Sequence, residues 1–134
     1  MIPRSFGCKS LARSLAGAAL LLAGAGLLGC GRGLPPKASP EDARQALRLA
    51  LNAWQQGDSL EALSKGRPAV YFNDPKAHDG RRLMSYEMED GYDYFGQSVR
   101  VRVNAMLEGK DGDVVERELT YIIDTSPVIV IIPD

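Results

Sequence analysis

The sequence predicts an α+β domain in which an N-terminal amphipathic helix packs on a curved four-stranded antiparallel meander sheet, with a short extra helix and strand between them. The 134 residues, 45% of them apolar, suffice for one small folded domain. Apolar residues first recur at the helical spacings of three and four. After Pro68 the spacing changes to two, which is the period of a strand with one buried face.

The main helix is expected to begin after Ser39 and to end at Gly57. Ser39 offers a hydroxyl cap and is followed by Pro40, an arrangement that favours a helix start. One face of this segment is apolar and consists of Ala43, Ala46, Leu47, Ala50, Leu51 and Trp54. Asp58 is the expected N-cap of a second, short helical turn over residues 59–64.

Extended segments fill the rest of the chain. A short run at 69–72 precedes an Asn-Asp-Pro turn, and longer alternating runs are expected as strands at 82–89, 98–108, 114–124 and 128–132. The face expected to point inward carries Met84, Tyr86, Met88, Val99, Val101, Val103, Leu119, Tyr121 and Val130.

The turn between the two longest strands predicts their register. A two-residue loop at Asp111-Gly112 would place Glu118 opposite Ala105 on the core face and would bury an acid. A three-residue loop, 110–112, with Gly112 in the left-handed conformation keeps apolar residues opposite one another. We therefore expect Val99, Val101, Val103 and Leu107 to lie opposite Ile123, Tyr121, Leu119 and Val115.

The beginning of the chain is typical of an export signal. Arg4, Lys9 and Arg13 precede an acid-free apolar stretch, residues 15–28. These 14 residues are fewer than the roughly 20 that a helix needs to cross a bilayer. We therefore expect a cleaved signal rather than a permanent membrane span.

The segment Leu27-Leu28-Gly29-Cys30 resembles the lipobox of bacterial lipoproteins. The resemblance implies that the chain is cut before Cys30 and that the Cys30 thiol carries a lipid anchor. The alternative is an ordinary secretory signal in which Cys30 is incidental. Gly31 stands where an Asp marks inner-membrane retention in that family, which favours the outer membrane. We expect an exported protein that is anchored to a bacterial membrane and faces the periplasm.

The chain accordingly divides into a signal peptide, 1–29, a lipidated cysteine with a flexible tether, 30–38, and a folded domain, 39–134. Without the signal, 13 basic and 17 acidic residues remain, a net charge of -4. This balance argues against nucleic acid as a partner. Because Cys8 leaves with the signal and Cys30 is acylated, the mature domain is expected to form no disulfide.

The helical segment Ala53–Leu63, followed by a curved antiparallel sheet, resembles the NTF2-like and broader cystatin-like α+β group over nearly the whole element order. In the enzymes of that group, the resemblance implies an acid or histidine base and a tyrosine in a pocket between helix and sheet. Tyr86, Tyr121 and Trp54 are the residues expected to border such a pocket. Apart from possible positions at strand ends, the predicted inner faces carry no carboxylate that could act as a general base, so no catalytic residue is assigned.

Two further segments carry chemistry-bearing side chains. His78 is the only histidine, and a solvated loop position is favoured over a metal ligand because no further ligand motif accompanies it. Glu87, Glu89, Asp90 and Asp93 form an acidic cluster beside Tyr92, Tyr94 and Phe95. This cluster could bind a cation or a partner that seeks aromatic rings, but we favour a hairpin loop, 90–96, whose rings cap the sheet.

The last strand is apolar on both faces. We expect Ile129 and Ile131 to join Ile122 in an apolar patch on the outer sheet face, and we expect this strand to form a sheet edge. Both features predict a homodimer that forms through the sheet.

Two classes of function follow. The first is a non-catalytic, membrane-anchored envelope lipoprotein that acts as a binding or accessory module and contacts the membrane through its lipid. The alternative is a small NTF2-like lyase or isomerase with a pocket between helix and sheet. The acid-poor interior favours the first, and neither a cofactor nor a metal is expected.

Overall fold

The computed structural model describes residues 36–134. The expected signal peptide, 1–29, and the lipidation position Cys30 lie outside the described residues, as does most of the tether. The elements are the helix α1 (Pro40–Gln56), a 3-10 helix (Leu60–Lys65), β1 (Val70–Phe72), α2 (Pro75–His78), β2 (Arg82–Met88), β3 (Asp93–Phe95), β4 (Ser98–Glu108), β5 (Val114–Asp124) and β6 (Ile129–Pro133).

The described chain is an α+β domain with one mixed sheet. The strand order is β1-β6-β5-β4-β2, and β3 also pairs with β4. Every pair is antiparallel except β1 and β6, which run parallel. The predicted α+β class is therefore confirmed, and β2, β4, β5 and β6 pair antiparallel in succession. The sheet differs from the predicted four-stranded meander because it is mixed and also contains β1 and β3. The short strand β1 pairs with the last strand, β6, and so belongs to the sheet.

Helix α1 begins and ends as the sequence predicts. The Ser39 side chain accepts a hydrogen bond from the Asp42 backbone N–H at 3.3 Å, which caps the first turn. Gly57 ends the helix in the left-handed conformation, with a φ of 75°. The predicted apolar face, from Ala43 to Trp54, is buried against the sheet. The cap, the stop and the apolar stripe thus agree on one helix.

The two segments that flank β1 differ from their predictions. The segment before β1 has a different N-cap residue, and the segment after β1 is helical. The 3-10 helix has Ser59 rather than Asp58 as its N-cap residue, and that side chain makes no capping hydrogen bond within the described chain. Leu60 and Leu63 of this helix pack against the core. After β1, residues 75–78 form the single turn α2 in place of a loop.

The β4–β5 hairpin has the predicted register. Val101 lies opposite Tyr121 and Leu107 opposite Val115. Gly109 donates its N–H to the Asp113 carbonyl at 2.8 Å, which leaves a three-residue loop. Gly112 in that loop has a φ of 83°, a conformation that a residue with a Cβ rarely adopts. Turn chemistry and apolar period together predicted this register correctly.

A β-bulge in β2 changes which of its residues face the core. The register with β4 shifts between Leu83 and Ser85, so that Met84 is the extra residue. Leu83 is buried and Tyr86 is half-buried against the core, whereas Met84 is exposed. The prediction that Met84 points inward was wrong, because strict alternation does not hold across a bulge.

Strand β6 also differs from its prediction. It lies between β1 and β5, so it is not an edge of the sheet. Ile131 stands opposite the buried Ile123, and both Ile129 and Ile131 are buried on the core face. Val130, which was predicted to point inward, is only half-buried. Because both faces of this strand are apolar, its period could not select the inward one, and pairing with two neighbours decided it.

Side chains of α1 cover the β2 side of the sheet. The Trp54 indole N–H donates to the Arg81 carbonyl at 2.8 Å, just before β2 begins. Gln55 Nε2 donates to the Met84 carbonyl at 3.1 Å, and Arg44 Nη1 donates to the Glu89 carbonyl at 2.6 Å. These bonds satisfy backbone acceptors along a sheet edge, which makes that edge a poorer template for another strand.

Candidate functional site

The space between α1 and the sheet is occupied by one continuous cluster of buried apolar side chains. Five strands contribute most of it, with Val70, Phe72, Leu83, Val99, Val101, Val103, Ala105, Leu107, Leu119, Ile123, Ile129 and Ile131. Trp54 lies inside this cluster, with its ring 6.3 Å from that of Phe72. Trp54 lies on the buried face of α1, as predicted. It packs in the core, however, and does not border an open pocket between the helix and the sheet.

Tyr121 is fully buried, and its hydroxyl donates to Asp74 Oδ2 at 2.6 Å. The other oxygen of this carboxylate, Oδ1, accepts the Lys76 backbone N–H at 2.9 Å and thereby caps α2. The Phe72 ring lies 5.7 Å from the Tyr121 ring and covers the pair on one side. Tyr121 and Asp74 therefore form a closed hydrogen-bonded pair at the junction of β5 and α2.

Burial raises the pKa of the Tyr121 hydroxyl well above its ordinary value of 10.0. The hydrogen bond to Asp74 and the negative charge of that carboxylate raise this pKa further. A phenol in this environment holds its proton through the neutral pH range and acts as a hydrogen-bond donor.

Asp74 is the buried polar residue that the sequence analysis missed. Its exposed fraction is 1%, although it follows Asn73 in what reads as a surface turn. A signal was present, because Asp74-Pro75 repeats the cap-then-proline pattern of Ser39-Pro40. That pattern predicts a helical turn after Asp74, and a cap residue directs its side chain back toward the chain rather than into solvent.

Tyr86 lies apart from this pair. Its hydroxyl donates to Asn52 Oδ1 on α1 at 2.6 Å. Partial burial raises the pKa of Tyr86, and the positive charge of Arg48 acts in the opposite direction. Within residues 36–134, none of the depressions described below is lined by both Tyr86 and Tyr121. The structure therefore does not bring the expected pocket residues together.

A surface depression of about 380 Å³ lies beside the Tyr121–Asp74 pair. Lys76, Arg81 and Arg117 stand around it, together with acidic side chains. Asp74 and Tyr121 border it, but their exposed fractions are 1% and 0%, so they lie beneath the other side chains. A molecule in this depression would meet the charged rim before it could reach the carboxylate.

A larger groove, of about 740 Å³, runs along α1. Ala46 and Leu49 form its helix wall, and Pro68, Val128 and Ile129 belong to the facing wall. Leu49 is about half exposed there. The groove is more apolar than the depression beside the Tyr121–Asp74 pair, and it lies outside the helix–sheet interior.

The predicted interface residues are separated by the sheet. Ile122 is half-buried on the outer face, as predicted, but Ile129 and Ile131 point into the core. On the outer face, Ile122 instead stands opposite Ile132. The predicted patch was therefore wrong in two of its three residues, and the homodimer stays a prediction.

His78 is exposed at the end of α2, where its Nε2 lies 3.3 Å from the Phe72 carbonyl oxygen. Within the part of the chain that the structure describes, no group of three or more His, Cys, Asp or Glu side chains is arranged to hold a metal ion. In residues 36–134, no helix combines the length and the apolar character needed to cross a bilayer.

The acidic and aromatic segment 87–95 is arranged differently from the loop that we favoured. Residues 93–95 form β3, and the tight turn that follows is centred on Gly96, whose φ is 62°. Asp93 Oδ2 lies 4.0 Å from Arg100 Nε and 3.9 Å from Arg102 Nη2. Asp93 is thus paired with two arginines, and the rings of Tyr92, Tyr94 and Phe95 are exposed instead of covering the sheet.

Comparison with known proteins adds no relative: no family model, no curated protein and no solved structure matches the chain significantly.

Proposed function

We propose that this chain is a non-catalytic, lipid-anchored lipoprotein of the bacterial cell envelope that acts as a binding or accessory module facing the periplasm. Its domain would be a small relative of the NTF2-like and cystatin-like folds. The export signal and the lipobox-like segment before Cys30 support the anchor. Two or more acyl chains on that cysteine would hold the domain stably at the membrane surface.

One observation carries the non-catalytic part of the proposal. The interior in which enzymes of the resembled group bind their substrates is occupied here by packed apolar side chains. The hydroxyls of Tyr86 and Tyr121 both donate to side chains of the same domain. An interior of this kind supplies neither room for a substrate nor a free general base.

The Tyr121–Asp74 pair is the one feature that favours the lyase or isomerase alternative, since it joins a phenol to a carboxylate. Both Asp74 oxygens, however, already accept hydrogen bonds, from Tyr121 and from the Lys76 N–H. The carboxylate also lies almost completely out of reach of solvent. A base must contact the proton that it removes, so we assign the pair a structural role.

Metabolic labelling with an alkyne analogue of palmitate tests the anchor. The wild-type chain should incorporate the label and should sediment with membranes, whereas Cys30→Ser should do neither. Cys8→Ser is the matched control, because that cysteine belongs to the expected signal peptide and should leave labelling unchanged. Equal labelling of wild type and Cys30→Ser would contradict the anchor.

Xenon binding, followed by backbone-amide chemical shifts of the full chain in detergent, tests the filled interior. Apolar cavities take up xenon, so a packed core should give no saturable shift at the amides of Tyr86, Val103 and Tyr121. Saturable shifts at these three positions would show an internal chamber. That result would favour the lyase or isomerase over the binding module.

A further inference from the structure

Strands β2 and β3 pair with the same edge of β4 but are separated by a bulged segment. Met88 stands opposite Val103, and Asp93 stands opposite Arg100, so residues 89–92 face only two residues of β4. Arg44 of α1 holds this segment in place, because its Nη1 donates to the carbonyls of Glu89, at 2.6 Å, and Gly91, at 3.3 Å. Bulges of this kind redirect side chains, and they are frequent next to binding sites.

The bulge surrounds a shallow depression of about 130 Å³. We call it the bulge site, and its side chains are those of Glu89, Tyr92, Asp93, Arg100 and Arg102. Two carboxylates and two guanidinium groups line it, and Arg100 Nη1 also donates to Asp134 Oδ2 at 3.4 Å. Arg100 Nε is buried and has no hydrogen-bond partner among the described residues. This atom has almost no exposed surface, so a ligand would instead meet the side chains of Asp93 and Arg102, which are 57% and 52% exposed.

Aromatic rings stand exposed around this polar depression. Tyr92 lines it with 47% of its surface exposed, and the Tyr94 ring packs edge-on against it at 5.7 Å. The Phe95 ring lies 5.6 Å from the guanidinium group of Arg100. The contact with Tyr94 restricts the Tyr92 ring, so a flat apolar surface is already oriented beside the hydrogen-bonding groups.

We propose that the bulge site binds a neutral saccharide. A sugar ring has an apolar C–H face that can stack on Tyr92, and hydroxyl groups around its edge. Each hydroxyl both donates and accepts, so one ring can donate to Asp93 and accept from the exposed Arg102 guanidinium group. Both guanidinium groups are already paired with carboxylates, which favours an uncharged ligand over an anion. The inference rests on the proposed role as a binding module and names its ligand class.

Backbone-amide shift titrations of the full chain in detergent test this inference, with chitotetraose and cellotetraose as the two probes. Saturable shifts should be confined to residues 89–102 for at least one of them. Tyr92→Ala should weaken that Kd about tenfold, because it removes a stacking ring. Tyr71→Ala is the matched control, since Tyr71 is exposed to a similar extent, 43%, but lies on β1, and it should leave the Kd unchanged.

A second variant, Asp93→Ala, should also weaken binding, because it removes the acceptor between the two arginines. The inference is overturned if neither saccharide shifts the 89–102 amides, or if Tyr92→Ala and Tyr71→Ala weaken binding equally. It is also overturned if a neutral aromatic hexapeptide saturates the site while both sugars fail, since that result would indicate a protein partner. Palmitate labelling at Cys30 is independent of these titrations, so failure here would leave the anchor standing.

Discussion

Tyr121 and Tyr92 lie in two regions of the molecule that differ in how far they bury a tyrosine side chain. Under α1, the Tyr121 ring is buried and its hydroxyl is bound by Asp74. At the bulge site, about half of the Tyr92 surface is exposed, beside the exposed side chains of Asp93 and Arg102. The covered face satisfies its polar atoms internally, whereas the bulge site leaves groups available to another molecule.

Because of this difference, we expect the side chains that could bind a ligand to lie outside the helix–sheet interior. Burial without a hydrogen bond is costly, so a packed core retains only polar groups that bind one another. At the sheet margin, water can satisfy side chains until a ligand replaces it. Binding residues are therefore expected where rigid elements hold exposed side chains, as Arg44 holds the segment 89–92.

The largest expected effect is the loss of core packing under α1. Leu51 is fully buried and Leu49, on the same helix, is about half exposed. Leu51→Ala should lower the free energy of unfolding by about 2–5 kcal/mol, because it removes buried methyl groups and leaves a cavity. Leu49→Ala, the control, should change it by less than about 0.5 kcal/mol. Urea unfolding measures both, and equal values would show that the helix–sheet interior is not packed.

The next largest effect is expected at Tyr121, which is compared here with Tyr86, the other tyrosine expected to border a pocket. Tyr121→Phe should lower the free energy of unfolding by about 1–3 kcal/mol, because it leaves a buried Asp74 oxygen without its donor. Tyr86→Phe should have a smaller effect, since its bond to Asn52 is exposed and water can replace the hydroxyl. Thermal and urea unfolding should rank the two variants in this order, and the reverse order would refute a structural role for the Tyr121–Asp74 pair.

The dependence of stability on alkaline pH should also reveal the burial of the Tyr121 phenol. The pKa of Tyr121 is raised in the folded state, so its contribution to stability is complete below the unfolded pKa of about 10 and is lost as pH rises above it. Above pH 10, wild type should lose up to about 1.4 kcal/mol per pH unit more than Tyr121→Phe. Parallel pH profiles of the two proteins, measured by urea unfolding, would contradict the burial of this phenol.

The smallest expected effect concerns the anchoring of the bulge. Arg44→Gln should lower the free energy of unfolding by only about 0.5–1.5 kcal/mol, because its two bonds to carbonyls are exposed. It should nevertheless speed hydrogen exchange at the amides of residues 89–92. Arg48→Gln on the same helix should leave that exchange unchanged. If both variants exchange alike, Arg44 does not hold the bulge.

Local rules predicted the elements that depend on neighbours in the sequence. Helix α1 follows from Ser39, Pro40 and Gly57, each of which acts on the backbone within one turn. The β4–β5 register follows from the three-residue loop with Gly112 in the left-handed conformation, together with an apolar face on each strand. These features could be derived because their physical causes lie within a few residues.

The errors occurred where distant segments compete. The inward face of β6 was settled by its pairing with β1 and β5, which no local period encodes. Met84 points outward because a bulge interrupts the alternation of β2. Asp74 is buried because Tyr121, 47 positions further along the chain, donates to it. In each case, a contact between segments far apart in sequence overrode the local pattern.

The amino-acid sequence by itself determined the α+β class, the limits of the main helix and the register of the long hairpin. Only the tertiary structure decided which face of β6 is buried, which acid enters the core and which aromatic rings remain exposed. The physical reason is that caps, turns and periodicity act over a few residues, whereas burial depends on which segments meet.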